Sequence, residues 1–165
     1  MNSSPEVPGD KAAAAPTPAQ AKPSNRILLV DDDISIREVT SEMLAASGYQ
    51  VDTAEDGVAG WKALHGNSYD LLITDHNMPK VTGVELVRTL RSARMALPVV
   101  LVSGAIPTEE LRRNPSLQLA ATLLKPFSGE ELLRTVEKVL HSAEGAPNRA
   151  NYFPATPRAV PRAHI

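Results

Sequence analysis

Four stretches of this 165-residue chain set polar groups directly behind short apolar runs. "ILLVDDD" ends in Asp31, Asp32 and Asp33, "DLLITDHNMP" carries Asp75, "VVLVSG" carries Ser103, and "LLKPF" carries Lys125. Apolar runs of this length read as buried strands, so each polar group stands at a strand's carboxyl end. In open α/β sheets that is where ligands bind, near the point at which strand order reverses. If the strands are neighbours, one rim gathers carboxylates, a hydroxyl and an ammonium. Three carboxylates within ~5 Å repel by about 3 kcal/mol per pair at an effective dielectric near 20. A hard divalent cation relieves that repulsion, and magnesium favours oxygen ligands while keeping some of its waters. Asp32 and Asp75 are therefore expected as direct metal ligands, with Asp31 direct or through water.

The elements that must position these groups follow from the hydrophobic period. "RILLV" reads as a first strand, followed by the helix "ISIREVTSEMLAASG" with Ile36, Val39, Met43 and Leu44 on one face and Gly48 at its end. "QVDTA" is a second strand and "GVAGWKALHG" a second helix, closed by Gly66. "YDLLIT" and "GVELVRTLRSA" form the third pair. "LPVVLVS" is a fourth strand, followed by a short helix in "PTEELRRN" that stops before Pro115. "AATLL" is the fifth strand. The last helix, "SGEELLRTVEKVLH", opens on Ser128 and Glu131 as a capping box, and Leu132, Leu133, Val136, Val139 and Leu140 form its apolar stripe. Strands alternating with helices, several of them apolar on both faces, imply a parallel sheet covered on both sides.

Composition narrows the function. The net charge of -2 supplies no basic field for nucleic acid or anionic membranes, and 4% aromatics leave no stacking platform for single strands. The absence of cysteine excludes disulfides, cysteine-based zinc sites and thiol chemistry, and fits a cytoplasmic setting. No apolar run reaches the roughly 18 residues of a membrane span, and the amino terminus has no secretory h-region. Residues 1–25, rich in Ala and Pro, are expected to be a disordered tail, because they cannot bury enough apolar surface to offset their ordering entropy. Residues 142–165 are expected to be a second such tail, or a short docking segment anchored by Tyr152 and Phe153. The folded domain is then 26–141.

Taken in order and spacing, "ILLVDDD", "DLLITDHNMP", "VVLVSG" and "LLKPF" resemble the receiver domain of two-component response regulators, over about 26–141. Each fragment alone is weak, but all four at successive strand ends are specific. The resemblance implies a flavodoxin-like (βα)5 fold, a doubly wound five-stranded parallel sheet of order 2-1-3-4-5. It implies that Asp75 is the phosphoacceptor, taking a phosphoryl group from the phosphohistidine of a sensor histidine kinase or a histidine phosphotransfer protein. Mg²⁺ would be held by Asp31, Asp32, Asp75 and the backbone carbonyl of Asn77, with Met78-Pro79 turning the chain just beyond. Mg²⁺, the Lys125 ammonium and the Ser103 hydroxyl would meet the phosphoryl oxygens, since in such transfers a protein chiefly positions groups and neutralises charge. Lys125-Pro126 is expected as a cis peptide on the same ground.

Other assignments are plainer. Asp33, just before Ile34, reads as a helix N-cap. Trp61 reads as packing on the second helix, and His76 as a rim residue beside the acceptor rather than a ligand. Many receivers carry an aromatic residue three positions before the lysine; here it is Thr122, which puts an aromatic readout of Ser103 movement in doubt. The expected output face is helix four, strand five and helix five. No DNA-binding or enzymatic output domain fits into the two tails, so the expected output is contact with a downstream protein or onward relay of phosphate. A receiver-like docking module that is not phosphorylated is the alternative. A small Mg²⁺-dependent phosphatase is disfavoured, because its aspartates normally lie in D-x-D spacing after the first strand. Nucleotide binding needs a Gly-rich first turn, and "VDDDISI" has none.

Overall fold

The computed structural model describes residues 24–145. The segments 1–23 and 146–165, with Tyr152 and Phe153, lie outside the described residues, and so does the greater part of both expected tails. The elements run β1 (Arg26–Val30), α1 (Ile34–Ala46), β2 (Gln50–Ala54), α2 (Gly57–Gly66), β3 (Leu71–Asp75), α3 (Gly83–Ser92), β4 (Val99–Ser103), α4 (Thr108–Arg113), a 3-10 turn (Pro115–Leu117), β5 (Ala121–Leu124) and α5 (Gly129–Glu144). All strand pairs are parallel and the sheet order is β2-β1-β3-β4-β5. This is the flavodoxin-like doubly wound sheet, and strand order reverses between β1 and β3.

Alternation along the central strands builds two cores. Leu28, Val30, Leu72 and Leu101 face α2 and α3, joined by Val84, Leu86, Val87 and Leu90. Ile27, Leu29, Leu71, Ile73, Val100 and Val102 face the other way, against Leu44 of α1 and Leu132, Val136, Val139 and Leu140 of α5. Such strands are buried on both faces, as the central three are apart from Arg26 at the start of β1. The edge strands β2 and β5 are only half buried.

Helix starts follow local chemistry. The Asp33 side chain accepts hydrogen bonds from Ser35 N and Ile36 N, as an N-cap does. Thr82 with Glu85 and Ser128 with Glu131 form reciprocal capping boxes on α3 and α5. Gly48 follows α1 at φ +93, the left-handed position that glycine takes without strain.

Two expectations need correcting. On α1 the buried stripe is Thr40 and Leu44, with Ile36 and Met43 partly buried; Val39 is 60% exposed. Successive helical residues differ by about 100° in direction, so the face seated against β2 and α5 takes Thr40 and turns Val39 outward. Secondly, α5 continues three residues beyond His141 to Glu144, because Ser142-Ala143-Glu144 holds no breaker before Gly145. As expected, β3 ends at Asp75, which mounts the carboxylate on the last residue of the strand. Among the described residues no helix is long and apolar enough to cross a membrane.

Candidate functional site

The register of β1 and β3 brings the acids together. Val30 pairs with Thr74, so the next residues along, Asp31 and Asp75, end side by side at the switch point. Both are buried, each 4% exposed, while Asp32 faces solvent. One carboxylate oxygen from each of Asp31, Asp32 and Asp75 lies within 4.8 Å of the others. Lys125, just after β5, reaches over the end of β4: its Nζ is 2.8 Å from Asp75 Oδ1 and 3.3 Å from Asp31 Oδ2. Its backbone N–H donates to Ser103 O at 2.8 Å, continuing the β4–β5 ladder to the rim. The Lys125-Pro126 peptide is cis.

Electrostatics reflect the crowding. Burial pushes the Asp31 carboxyl above the usual aspartate range; the Asp33 N–H and the Lys125 charge oppose that, and the Asp75 charge adds to it. Burial works against the Lys125 ammonium, but the hydrogen bond to Asp75 and the charges of both aspartates outweigh it and raise its pKa. An all-oxygen set of three clustered carboxylates suits a hard divalent cation, and Mg²⁺ fits it by charge and ligand type.

The loop after β3 is tightly folded. His76 N–H donates to Val102 O, and the His76 carbonyl accepts from both Met78 N–H and Gly83 N–H. Asn77, between them, is exposed. Gly83 opens α3 so close to Asp75 that an added Cβ would overlap the Asp75 carbonyl oxygen. Lys80, at φ +68, pairs with Asp56, the N-cap of α2, across 3.5 Å.

Not every expected site residue joins the cluster. Ser103 is 1% exposed, yet its hydroxyl donates to Ala105 O at 2.6 Å and accepts from Ala105 N–H at 3.2 Å. Thr122 is exposed on β5, away from the carboxylates, and lines a groove of about 330 Å³ with Leu111, Pro115, Leu117 and Leu119. His76 stands at the rim with a buried Nδ1 that has no hydrogen-bond partner among the described residues. Trp61 packs on the α2–α3 core and meets His65 edge-on.

One residue escaped the sequence reading. Arg37, in α1, donates from Nη1 to the Asp31 carbonyl at 2.6 Å. Nothing local marked it out: with Asp33 four residues before it, Arg37 reads from sequence as an ordinary surface cation of a helix start.

The doubly wound sheet thus gathers clustered carboxylates and a lysine at its switch point. The family model described as "Response regulator receiver domain" matches residues 27–137, and the chain belongs to that family. It is 40% identical over 117 residues to the probable transcriptional regulatory protein SilR of Salmonella typhimurium, covering 70% of this chain and 50% of that protein. The structure of chemotaxis protein CheY4 of Vibrio cholerae matches at TM-score 0.66 and 33% identity, over 70% of this chain and 98% of that one. Response regulator TrrA of Thermotoga maritima, solved in complex with Mg²⁺–BeF, matches at TM-score 0.62 and 33% identity, over 70% and 98%. The chain spans about half the length of the first curated relatives it matches.

Proposed function

We propose that this receiver accepts a phosphoryl group on Asp75 from the phosphohistidine of a sensor histidine kinase or a histidine phosphotransfer protein. The observation that carries the reading is the geometry around Asp75. Two further carboxylates lie within 4.8 Å of it and an ammonium lies 2.8 Å away, at the sheet's switch point. A carboxylate oxygen of Asp75 attacks phosphorus while the phosphorus–nitrogen bond of the donor breaks. The bonding pair returns to the imidazole, which takes up a proton. Asp31, Asp32, Asp75 and the Asn77 carbonyl would hold Mg²⁺, which neutralises charge on the carboxylates and the transferred oxygens. Lys125 supplies a second positive charge beside Asp75. The product is an acyl phosphate; attack of water at phosphorus returns the carboxylate and inorganic phosphate, so the signal decays without a further enzyme.

The output reading rests on Ser103. To meet a phosphoryl oxygen its hydroxyl must give up Ala105, and the chain from Ala105 leads directly into α4. That helix buries no side chain fully and meets the core through its one apolar residue, the partly buried Leu111, so little packing resists its displacement. Ile106 before α4 and Leu124 at the end of β5 are exposed apolar residues suited to contact with a downstream protein. With Thr122 in place of an aromatic ring, the signal passes through the backbone of this loop rather than through ring rotation.

Incubation with Mg²⁺ and acetyl phosphate, followed by intact-mass measurement, tests the assignment. One added phosphate is expected on the wild type and none on Asp75→Asn. Modification that persists in that variant would overturn it.

A further inference from the structure

We infer that Arg37 is a positioning residue for the acidic cluster, acting through the peptide that joins Asp31 to Asp32. The inference rests on the metal reading above. Asp31 is fixed at four points. Its N–H donates to Ala54 O at 3.2 Å, and its Oδ1 accepts from Asp33 N–H at 2.9 Å. Its Oδ2 faces Lys125 at 3.3 Å, and its carbonyl accepts from Arg37 Nη1 at 2.6 Å. Only the last of these sets the plane of the Asp31–Asp32 peptide. That plane decides where Asp32 points, and the Asp32 carboxylate makes no hydrogen bond or ion pair with another described residue. Its aim is therefore inherited from the backbone, and Arg37 holds that backbone.

Helix geometry makes the contact possible. Helical side chains lean toward the amino terminus, so a long side chain in the second turn of α1 falls back over the β1–α1 loop. The Arg37 backbone N–H meanwhile donates to Asp33 O at 2.9 Å, fixing the guanidinium's own base. A charge-assisted donor of this kind is stronger than a neutral one. Partners just outside a ligand set typically change metal affinity by 10–100-fold when removed.

The sign of the effect separates positioning from charge. A guanidinium near the carboxylates repels a divalent cation, so deleting it would tighten Mg²⁺ binding if charge were its role. Deleting a positioning residue weakens binding instead. Titration calorimetry of Mg²⁺ into the full chain, with folding checked by circular dichroism, measures this directly. Arg37→Met, which keeps the apolar stem, is expected to bind about tenfold more weakly. Arg37→Lys keeps the charge and a donor and is expected to fall between the two. In phosphorylation by acetyl phosphate, the half-saturating Mg²⁺ concentration should rise in Arg37→Met while the rate at saturation stays near wild type. Equal or tighter Mg²⁺ binding by folded Arg37→Met, with wild type binding normally, overturns the inference alone. Absence of Mg²⁺ binding by wild type overturns the metal reading and this inference with it.

Discussion

The Lys125 ammonium spans the carboxylates that end β1 and β3, lying 2.8 Å from Asp75 Oδ1 and 3.3 Å from Asp31 Oδ2. Lys125 stands 94 positions beyond Asp31 in the chain and reaches both acids across the end of β4. Without it, two buried aspartates would face one another with no ion-pair partner among the described residues.

Lys125→Met is therefore expected to destabilise the metal-free protein. Breaking a fully buried pair costs about 3–5 kcal/mol; with the lysine side chain 24% exposed, about 2 kcal/mol is expected here. Saturating Mg²⁺ should restore part of the loss. Urea midpoints measured with chelator and with Mg²⁺ compare the two states.

Asp32→Asn separates metal binding from stability. Its exposed carboxylate should contribute little to the metal-free fold. Wild type at 100 times the Mg²⁺ dissociation constant should gain about 2.7 kcal/mol by linkage, and the variant should gain far less at the same concentration. Thermal melts across a Mg²⁺ series read this out.

Gly83→Ala tests the close approach of α3 to the acceptor strand. The new Cβ would collide with the Asp75 carbonyl oxygen and with Leu101 Cδ1, neither of which can move freely. A loss of about 3 kcal/mol is expected, as for overpacked cores. Gly66→Ala is the control: its Cβ meets nothing, and replacing a helical glycine should be neutral or stabilising. Denaturant unfolding of both variants gives the contrast.

Arg91 should prove a structural anchor at the opposite end of the sheet. Its guanidinium donates to the carbonyls of Met95, Leu97, Leu117 and Gln118, tying the α3–β4 loop to the entry of β5. Arg91→Ala is expected to cost about 2–3 kcal/mol, and Arg91→Lys should recover little, because an ammonium cannot reproduce the planar fork. Faster amide exchange around Leu97 and Leu117 would accompany the loss.

Tyr69 gives a pH-dependent test. Burial first, then the 2.7 Å hydrogen bond to Asp52 and the charge of that carboxylate, push its phenol up to about 12. The folded state thus holds this proton more tightly than the unfolded chain, whose tyrosine titrates near pH 10. The associated stability is fully present below about pH 10 and is lost as pH rises toward 12. Tyrosinate absorbance should show a late titration step that Tyr69→Phe removes, together with a shallower alkaline fall in stability.

Much of this molecule is written locally. The strands and α-helices were readable because short, mostly apolar runs alternate with segments of helical period. Asp33, Ser128 and Glu131 announced their caps because capping is settled within three residues. The helix-face error at Val39 has the opposite origin. Val39 and Thr40 both fit an α1 stripe, and only packing against α5 and β2 chose between them.

At the site the same division holds. Sequence alone determined that Asp31, Asp32, Asp75, Ser103 and Lys125 end strands, because an apolar run and the polar residue behind it are adjacent in the chain. Only the tertiary structure decided that β1 lies against β3, so that the acids meet. It also decided that Lys125 reaches both, that Ser103 is turned onto Ala105, and that Arg37 holds the Asp31 carbonyl. These are side-chain directions and distances between separate elements. They follow from how the two cores seat the helices on the sheet, and no local preference encodes them.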